Sequence, residues 1–194
     1  MSAMTKGRLE AFSDGVIAIL ITIMVLELKV PHETSFAALR ALAPVFGCYL
    51  LSFVFLGIYW NNHHHMLHMT SRINGRILWA NLHLLFWLSL VPWATGWMGE
   101  NDFARLPTAV YGVILFAAGI AYTILQATII HDQGPDSRLA AAVGGDVKGK
   151  TSALLYAAAV PLAFVHQAIS GGIYVLVALI WLVPDPRIEA KLRE

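Results

Sequence analysis

The chain has 194 residues, of which 58% are hydrophobic and 13% are charged, and its formal net charge is +1. A soluble globular domain has about 25% charged residues, so this composition indicates a chain that lies in lipid. The low net charge argues against a large basic surface for nucleic acid. The single cysteine, Cys48, lies in an apolar run, which excludes a disulfide framework and predicts a small buried hydrophobe.

Six apolar segments approach the length of about 20 residues that a membrane-spanning helix needs. They are residues 12–30, 41–62, 77–98, 106–130, 150–166 and 168–184. The sequence therefore predicts an all-α integral membrane protein with one domain, residues 1–194, and six transmembrane helices. The last two segments are short, and a single re-entrant hairpin is the alternative there. The polar stretch 131–150 is predicted to be a loop.

The charges between these segments predict the orientation of the chain. With both termini in the cytoplasm, ten of the 13 lysines and arginines lie on the cytoplasmic side. The other three, Lys29, Arg40 and Arg105, lie on the opposite side. Membrane proteins concentrate Lys and Arg in their cytoplasmic loops, so this asymmetry supports an even number of spans.

Ionisable and polar side chains lie at the start of the first segment, where a spanning helix meets the membrane boundary. Ser13 and Asp14 are candidates for capping backbone N–H groups. The other interpretation is that they face the bundle interior and bind polar partners there. At about 100° per residue, Asp14 lies about 140° from Ile19 around the helix, so we expect Asp14 to point into its own subunit.

An aliphatic stripe runs along another face of the same helix. Ile19, Ile23 and Leu26 lie within about 60° of one another, and Thr22 borders them. By itself such a stripe is typical of a lipid-facing or core surface.

The residues Arg8-x-x-x-Phe12-Ser13-Asp14-Gly15 at the start of this helix resemble the signature of the transmembrane protein 175 family. This family comprises endolysosomal and bacterial potassium channels. Two later features are similar to it as well. One is a tryptophan followed by histidines at the end of the second segment, and the other is an asparagine followed by leucines in the third. The bacterial members are similar in length and number of spans, so the resemblance covers essentially the whole chain.

The resemblance implies a homotetramer whose first helices line a central pore. The chain contains no Thr-Val-Gly-Tyr-Gly filter sequence. Aliphatic side chains are instead implied to narrow the pore, with Ile19 at the main constriction and Ile23 and Leu26 in further layers. The positions linked to selectivity are Thr22 and Ala18, and Ala18 lacks the hydroxyl of the serine that some members have there.

The resemblance also implies a polar network among the first three helices. Its candidate members, together with the other motif residues, are Arg8, Phe12, Ser13, Asp14, Gly15, His63, His64, Asn81 and His83. The chain has eight histidines, and imidazole suits iron, so a membrane di-iron enzyme is a rival interpretation. Such enzymes need several histidine clusters, whereas only one occurs here. No metal site is therefore predicted.

The sequence thus predicts a leak-type, potassium-permeable cation channel with a hydrophobic constriction, and not an enzyme. Proton conduction through the same pore is the first alternative, because aliphatic constrictions pass protons on transient water chains. The expected partners are K⁺ and other monovalent cations, with H⁺ as a further candidate, the lipid bilayer and other copies of the chain. No cofactor is expected. The expected location is the plasma (inner) membrane of a prokaryote, with a multi-pass topology and both termini in the cytoplasm.

Overall fold

Residues 5–182 are described by a computed structural model, and they form α-helices without a β-strand. The helices in this part of the chain are α1 (Lys6–Ile23), α2 (Phe36–Ala41), α3 (Ala43–His68), α4 (Gly75–Ser89), α5 (Val91–Glu100), α6 (Arg105–Gln133), α7 (Arg138–Val143), α8 (Val147–Val165) and α9 (Gln167–Leu182). Four stretches are long and apolar enough to cross a membrane, namely Lys6–Glu27, Ala43–His68, Gly75–Glu100 and Arg105–Gln133. The predicted class of all-α membrane protein is therefore confirmed.

The first two spans differ in length from their predictions. The first begins at Lys6 instead of residue 12, and its last turn, Met24–Glu27, is a 3₁₀-helix. The second continues to His68, so the histidine cluster belongs to the helix. Neither glycine nor proline interrupts the chain between residues 58 and 68, and these are the residues that most strongly break a helix.

Two further boundaries also differ. The third span consists of two helices that meet at Leu90, because Pro92 begins a new helix and lacks the N–H that a continuous helix needs. The stretch 131–150 is not a single loop, since it contains α7 and the start of α8. Of the last predicted segment, residues 183 and 184 lie outside the described part of the chain.

Contacts between helix ends show how the bundle is arranged. The Lys6 amine donates to the His68 carbonyl at 2.8 Å, so the start of α1 meets the end of α3. At the same end, the Arg72 guanidinium binds the Asp132 carboxylate at 2.8 Å and joins the α3–α4 turn to α6. The opposite end carries an ion pair of 2.5 Å between Lys29 and Glu100. The start of α1, the α3–α4 turn and the end of α6 therefore lie at the same end of the bundle. Most of the basic residues lie in or near these segments.

A buried chain of hydroxyl groups connects three of the helices. Thr95 Oγ1 donates to the Val91 carbonyl at 2.7 Å within α5. Since its hydrogen is used there, Thr95 accepts from Ser52 on α3 at 2.6 Å. Ser52 in turn accepts from the Tyr111 hydroxyl on α6 at 2.8 Å. Because lipid offers no competing hydrogen bonds, these contacts fix α3, α5 and α6 against one another.

The last two helices form an antiparallel hairpin that turns at His166. Ser170 Oγ donates to the Ala159 carbonyl at 2.6 Å near the turn. Trp181 Nε1 donates to Ser152 Oγ at 2.8 Å near the far end. The 19 residues of α8 correspond to about 28 Å of helix.

The hairpin docks on α6 through Tyr174, whose side chain is fully buried. Its hydroxyl donates to the Thr108 carbonyl at 2.9 Å. The Tyr174 ring passes directly over Gly112, where a Cβ would overlap the hydroxyl. By contrast, a Cβ at Gly119 on the same helix would lie 3.8 Å from the Tyr59 hydroxyl, an ordinary contact.

We predict that Gly112→Ala lowers thermal stability, because overpacking a filled interior costs about 1–3 kcal/mol. Gly119→Ala is the matched control, since it makes the same change in helix propensity without the overlap. Thermal unfolding of the detergent-solubilised proteins measures both effects. Equal melting temperatures for the two variants would contradict the close packing of Tyr174 on Gly112.

Candidate functional site

Helix α1 and the 3₁₀ turn that continues it, Met24–Glu27, have one buried and one exposed face in the single subunit. The buried face consists of Leu9, Ser13, Ile17, Leu20 and Met24, each of which is at most 8% exposed. The exposed face carries the predicted constriction residues, with exposed fractions of 61% for Ile19, 45% for Ile23 and 77% for Leu26. The two faces follow from helical periodicity, and α1 contacts α3, α4 and α5 on its buried side.

The rest of the exposed face is formed by small and polar residues and by Phe12. Gly15 and Ala18 are exposed, and no described atom outside α1 lies within 4 Å of a Cβ built on Gly15. Thr22 is also exposed, and its Oγ1 lies 3.0 Å from both the Ala18 and the Ile19 carbonyls. Its hydroxyl hydrogen is thus directed back to its own helix, so its oxygen lone pairs remain available outward.

The orientation of α1 is fixed by a buried hydrogen-bonded triad. The Asn81 amide on α4 donates from Nδ2 to Ser13 Oγ at 3.0 Å. Its Oδ1 lies 2.7 Å from His63 Nε2 on α3, so the imidazole donates from Nε2. All three side chains are at most 1% exposed. Asn81 therefore joins the first three spans at one point, and His63 is the member of the consecutive histidines that points inward.

Asp14 binds outside this triad. Its Oδ1 accepts from Trp60 Nε1 at 3.1 Å, so the carboxylate contacts α3 of its own subunit. Arg8 is exposed and makes neither a hydrogen bond nor an ion pair with residues 5–182. Within residues 5–182, Arg8 therefore does not join the network that the resemblance implies for it.

Two other predicted members also lie outside the triad. His64 is exposed and stacks on Trp60, with ring centroids 6.0 Å apart. His83 is exposed and accepts from Trp87 Nε1 at 3.0 Å on its own helix. Consecutive helical residues point in directions about 100° apart, so only one of His63 and His64 can face Asn81.

Comparison with known proteins assigns the chain to a family. Residues 8–92 match the family model described as endosomal/lysosomal potassium channel TMEM175. A protein of Chryseobacterium sp. (strain P1-3) named as a potassium channel is 54% identical, with 98% of this chain and 100% of that protein aligned. The chain belongs to the TMEM175 family.

Two more relatives extend the likeness. A protein of Streptomyces collinus, also named as a potassium channel, is 32% identical over 95% of this chain and 97% of its own length. The crystal structure of a lysosomal potassium-selective channel TMEM175 homolog from Chamaesiphon minutus matches with a TM-score of 0.82 and 29% identity. The match covers 92% of this chain and 96% of that one. The fold is therefore that of the TMEM175 channels.

Membership of the TMEM175 family makes the chain a channel protein and not an enzyme. Within residues 5–182, no three His, Cys, Asp or Glu side chains are grouped as a metal site would require. Cys48 is fully buried, as predicted for a small hydrophobe.

Sequence reasoning missed two of the structural contacts. The Trp60–Asp14 bond was not expected, because the sequence marked Trp60 only as the tryptophan that precedes the histidines of the second segment. The hydroxyl chain through Ser52 and Thr95 was not expected either. Serine and threonine inside apolar segments were the available signal, since buried hydroxyls need partners.

We predict that Asn81→Leu destabilises the protein, because it leaves both the Ser13 hydroxyl and the His63 Nε2–H buried without this partner. Each unsatisfied buried group costs about 1–3 kcal/mol. Asn61→Leu makes the same change at an exposed position on α3, two residues before His63, and should have little effect. Melting temperature and solubilised yield are the measurements. Unchanged stability of Asn81→Leu would contradict the anchoring role of the triad.

Proposed function

We propose that this member of the TMEM175 family is a potassium-permeable, leak-type cation channel, and that four α1 helices surround its pore. The proposal is supported by the potassium-channel names of its relatives and by the bare face of α1. The buried triad turns Ser13 inward and so directs the opposite face away from the rest of the subunit. A helix that is packed on one side only has room for partner helices on the other.

The spacing of the exposed residues is the observation that carries this proposal. Phe12, Gly15, Ile19, Thr22 and Leu26 follow one another at intervals of three and four residues, and all are exposed. This is the period of about 3.5 residues by which parallel helices keep one seam facing an axis. Gly15 also allows close approach of neighbouring backbones, as small residues do in membranes.

Isoleucine at this seam makes a constriction whose conduction depends on water. Four Ile19 side chains around the axis form a dry ring, and such rings gate by dewetting. Methyl groups cannot replace the water molecules around K⁺, so the ring must widen until a largely hydrated ion passes. Ile23 and Leu26 add further apolar layers. A leak-type conductance with modest selectivity follows from this arrangement.

Thr22 is the group that we assign to selectivity. It lies one helical turn beyond Ile19 and presents an oxygen whose hydrogen is already bound to the backbone of α1. An oxygen acceptor at this depth assists partial dehydration of a cation. Ala18, one turn before Thr22, contributes no such oxygen.

We further propose that the subunit spans the membrane six times, with α8 and α9 as the fifth and sixth spans. The length of α8 and its antiparallel pairing with α9 favour two membrane crossings and argue against a re-entrant hairpin. The basic end of the bundle then faces the cytoplasm, by the positive-inside rule. The bacterial relatives support a location in the plasma membrane of a prokaryote as part of this proposal.

The first functional prediction concerns selectivity. In planar bilayers with K⁺ and Na⁺ on opposite sides, the reversal potential of the purified protein should be displaced from zero toward the K⁺ equilibrium potential. Thr22→Val should lower the K⁺/Na⁺ permeability ratio by up to about fivefold, because one oxygen contact is worth about 1 kcal/mol. The reversal potential then moves toward zero. Thr123→Val is the control, since Thr123 is an exposed threonine with the same backbone bond, on α6. A Thr22→Val channel with the wild-type reversal potential would refute the role of Thr22.

The second functional prediction concerns the constriction. Ile19→Asn should raise single-channel conductance severalfold, because an amide wets the ring. Leu154→Asn introduces the same group at a position that is 73% exposed on α8, and should leave conductance unchanged. Particle mass before recording establishes whether each variant is a tetramer. A folded Ile19→Asn tetramer that conducts like Leu154→Asn would place Ile19 against lipid and overturn the proposed pore.

A further inference from the structure

A cleft of about 760 Å³ lies between α3, α6, α7 and α8, away from the exposed face of α1. This volume lies within the range of about 300–1,000 Å³ that ligand sites have. Most of its wall is apolar or aromatic, with Phe55, Ile58, Ile120 and Tyr156 among the lining residues. Ile120 and Ile124 are at least 40% exposed, so the cleft opens on the outer surface of the subunit.

Several neutral polar groups in the wall are paired within the protein. Asn62 Nδ2 donates to the Ile58 carbonyl at 2.8 Å, and Thr123 donates to the Gly119 carbonyl at 3.0 Å. Trp181 donates to Ser152 at 2.8 Å. These groups therefore do not require a polar ligand, and this part of the cleft suits hydrocarbon.

The end of the cleft at the start of α8 has a different character. Lys148 and Lys150 line it together with Asp146 and His65, so two lysines and one aspartate leave one net positive charge. Asp146 Oδ1 is occupied by the Gly149 N–H at 3.1 Å. The Lys150 amine donates to the Gly145 carbonyl at 2.9 Å. An ammonium group has three donors, so Lys150 can bind an anion in addition to the Gly145 carbonyl.

The cleft is long enough to extend through one leaflet of a bilayer. Its lining on α3 and the residue after it runs from Phe55 to Met69, which is about 21 Å of chain at 1.5 Å per residue. One leaflet contributes about 15 Å of hydrocarbon to a bilayer. The cleft thus extends from the lysines at the membrane boundary through the hydrocarbon of that leaflet.

We propose that this cleft binds an anionic phospholipid of the cytoplasmic leaflet. One acyl chain lies along α3 and α6, and the phosphate is bound by Lys148 and Lys150. Basic pockets between transmembrane helices on the cytoplasmic side are a recurring way to bind such headgroups. The inference rests on the membrane orientation given under the proposed function and does not depend on conduction.

Native mass spectrometry of the full-length oligomer in detergent, with phosphatidylglycerol or phosphatidylcholine added, tests the inference. Wild-type protein should bind phosphatidylglycerol in preference, because only this lipid has a net negative headgroup. Lys148→Gln combined with Lys150→Gln should weaken that binding by about tenfold or more, as expected for two lost cations. Arg76→Gln, at an exposed position on the same end of the bundle, should not.

A second pair of variants tests the acyl-chain site. Ala153→Phe fills the cleft and should reduce phosphatidylglycerol binding, and Ala153→Leu should reduce it less. Ala157→Phe adds the same ring at an exposed position one turn later on α8 and should not change binding. Elution volume and helical content establish that each variant is folded.

Four results would overturn the inference. Equal binding of the two lipids would mean that the lysines select no headgroup. Binding that survives both the lysine and the Ala153 substitutions would place the lipid elsewhere. Binding that appears only after removal of residues 183–194 would assign the cleft to that segment, and absence of binding to the intact oligomer would assign it to a neighbouring copy. Since lipid binding is measured without ion flux, a failure here leaves the proposed channel function standing.

Discussion

The hydrogen bonds of Asn81 determine which way the first helix faces. A helix in lipid gains little from burying one apolar face over another, because the lipid tails are as apolar as the protein interior. Polar contacts therefore carry more of the orientation. Asn81 binds Ser13 on one side and His63 on the other, which turns the Ser13 face of α1 inward. The face with Ile19, Thr22 and Leu26 is left bare as a consequence, and the proposed pore depends on this.

Helix α3 joins four other helices, α1, α4, α5 and α6, through polar side chains. Its two ends use different polar chemistry. Near the basic end, His63 and Trp60 hold α4 and α1. Toward the other end, Ser52 holds α5 and α6 through hydroxyl groups. The same helix also forms one wall of the cleft through Phe55 and Ile58, so the α1 side and the lipid-facing side of the subunit share one rigid support.

This arrangement separates the surface proposed for ions from the surface proposed for lipid. The exposed face of α1 carries aliphatic groups at heptad spacing and one outward oxygen, Thr22. The cleft carries aromatic and aliphatic groups that end at two lysines. Both surfaces are largely apolar, and hydrophobicity alone does not distinguish them. Their polar groups distinguish them: Thr22 lies in the middle of the α1 face, and Lys148 and Lys150 lie at one end of the cleft.

Sequence patterns predicted the long apolar elements well and their ends poorly. Span α6 was expected at 106–130 and extends over Arg105–Gln133, because a continuous apolar run has one obvious structure in lipid. The division between α4 and α5 was not expected, although Pro92 was visible. The sequence around a proline near a helix end looks like that around a proline that divides a span into two helices. The packing of α5 on α3 decides which of the two forms.

The sequence by itself determined that this chain belongs in a membrane, that α1 has an aliphatic face separate from Asp14, and that its motif resembles that of the TMEM175 channels. These conclusions follow from composition, helical periodicity and fixed spacing, which are properties of the chain alone. Only the tertiary structure decided that His63 faces Asn81, that His64 and His83 do not, and that Arg8 makes no polar contact with residues 5–182. Which side chain meets which depends on how α1, α3 and α4 are rotated against one another, and no local pattern encodes those rotations.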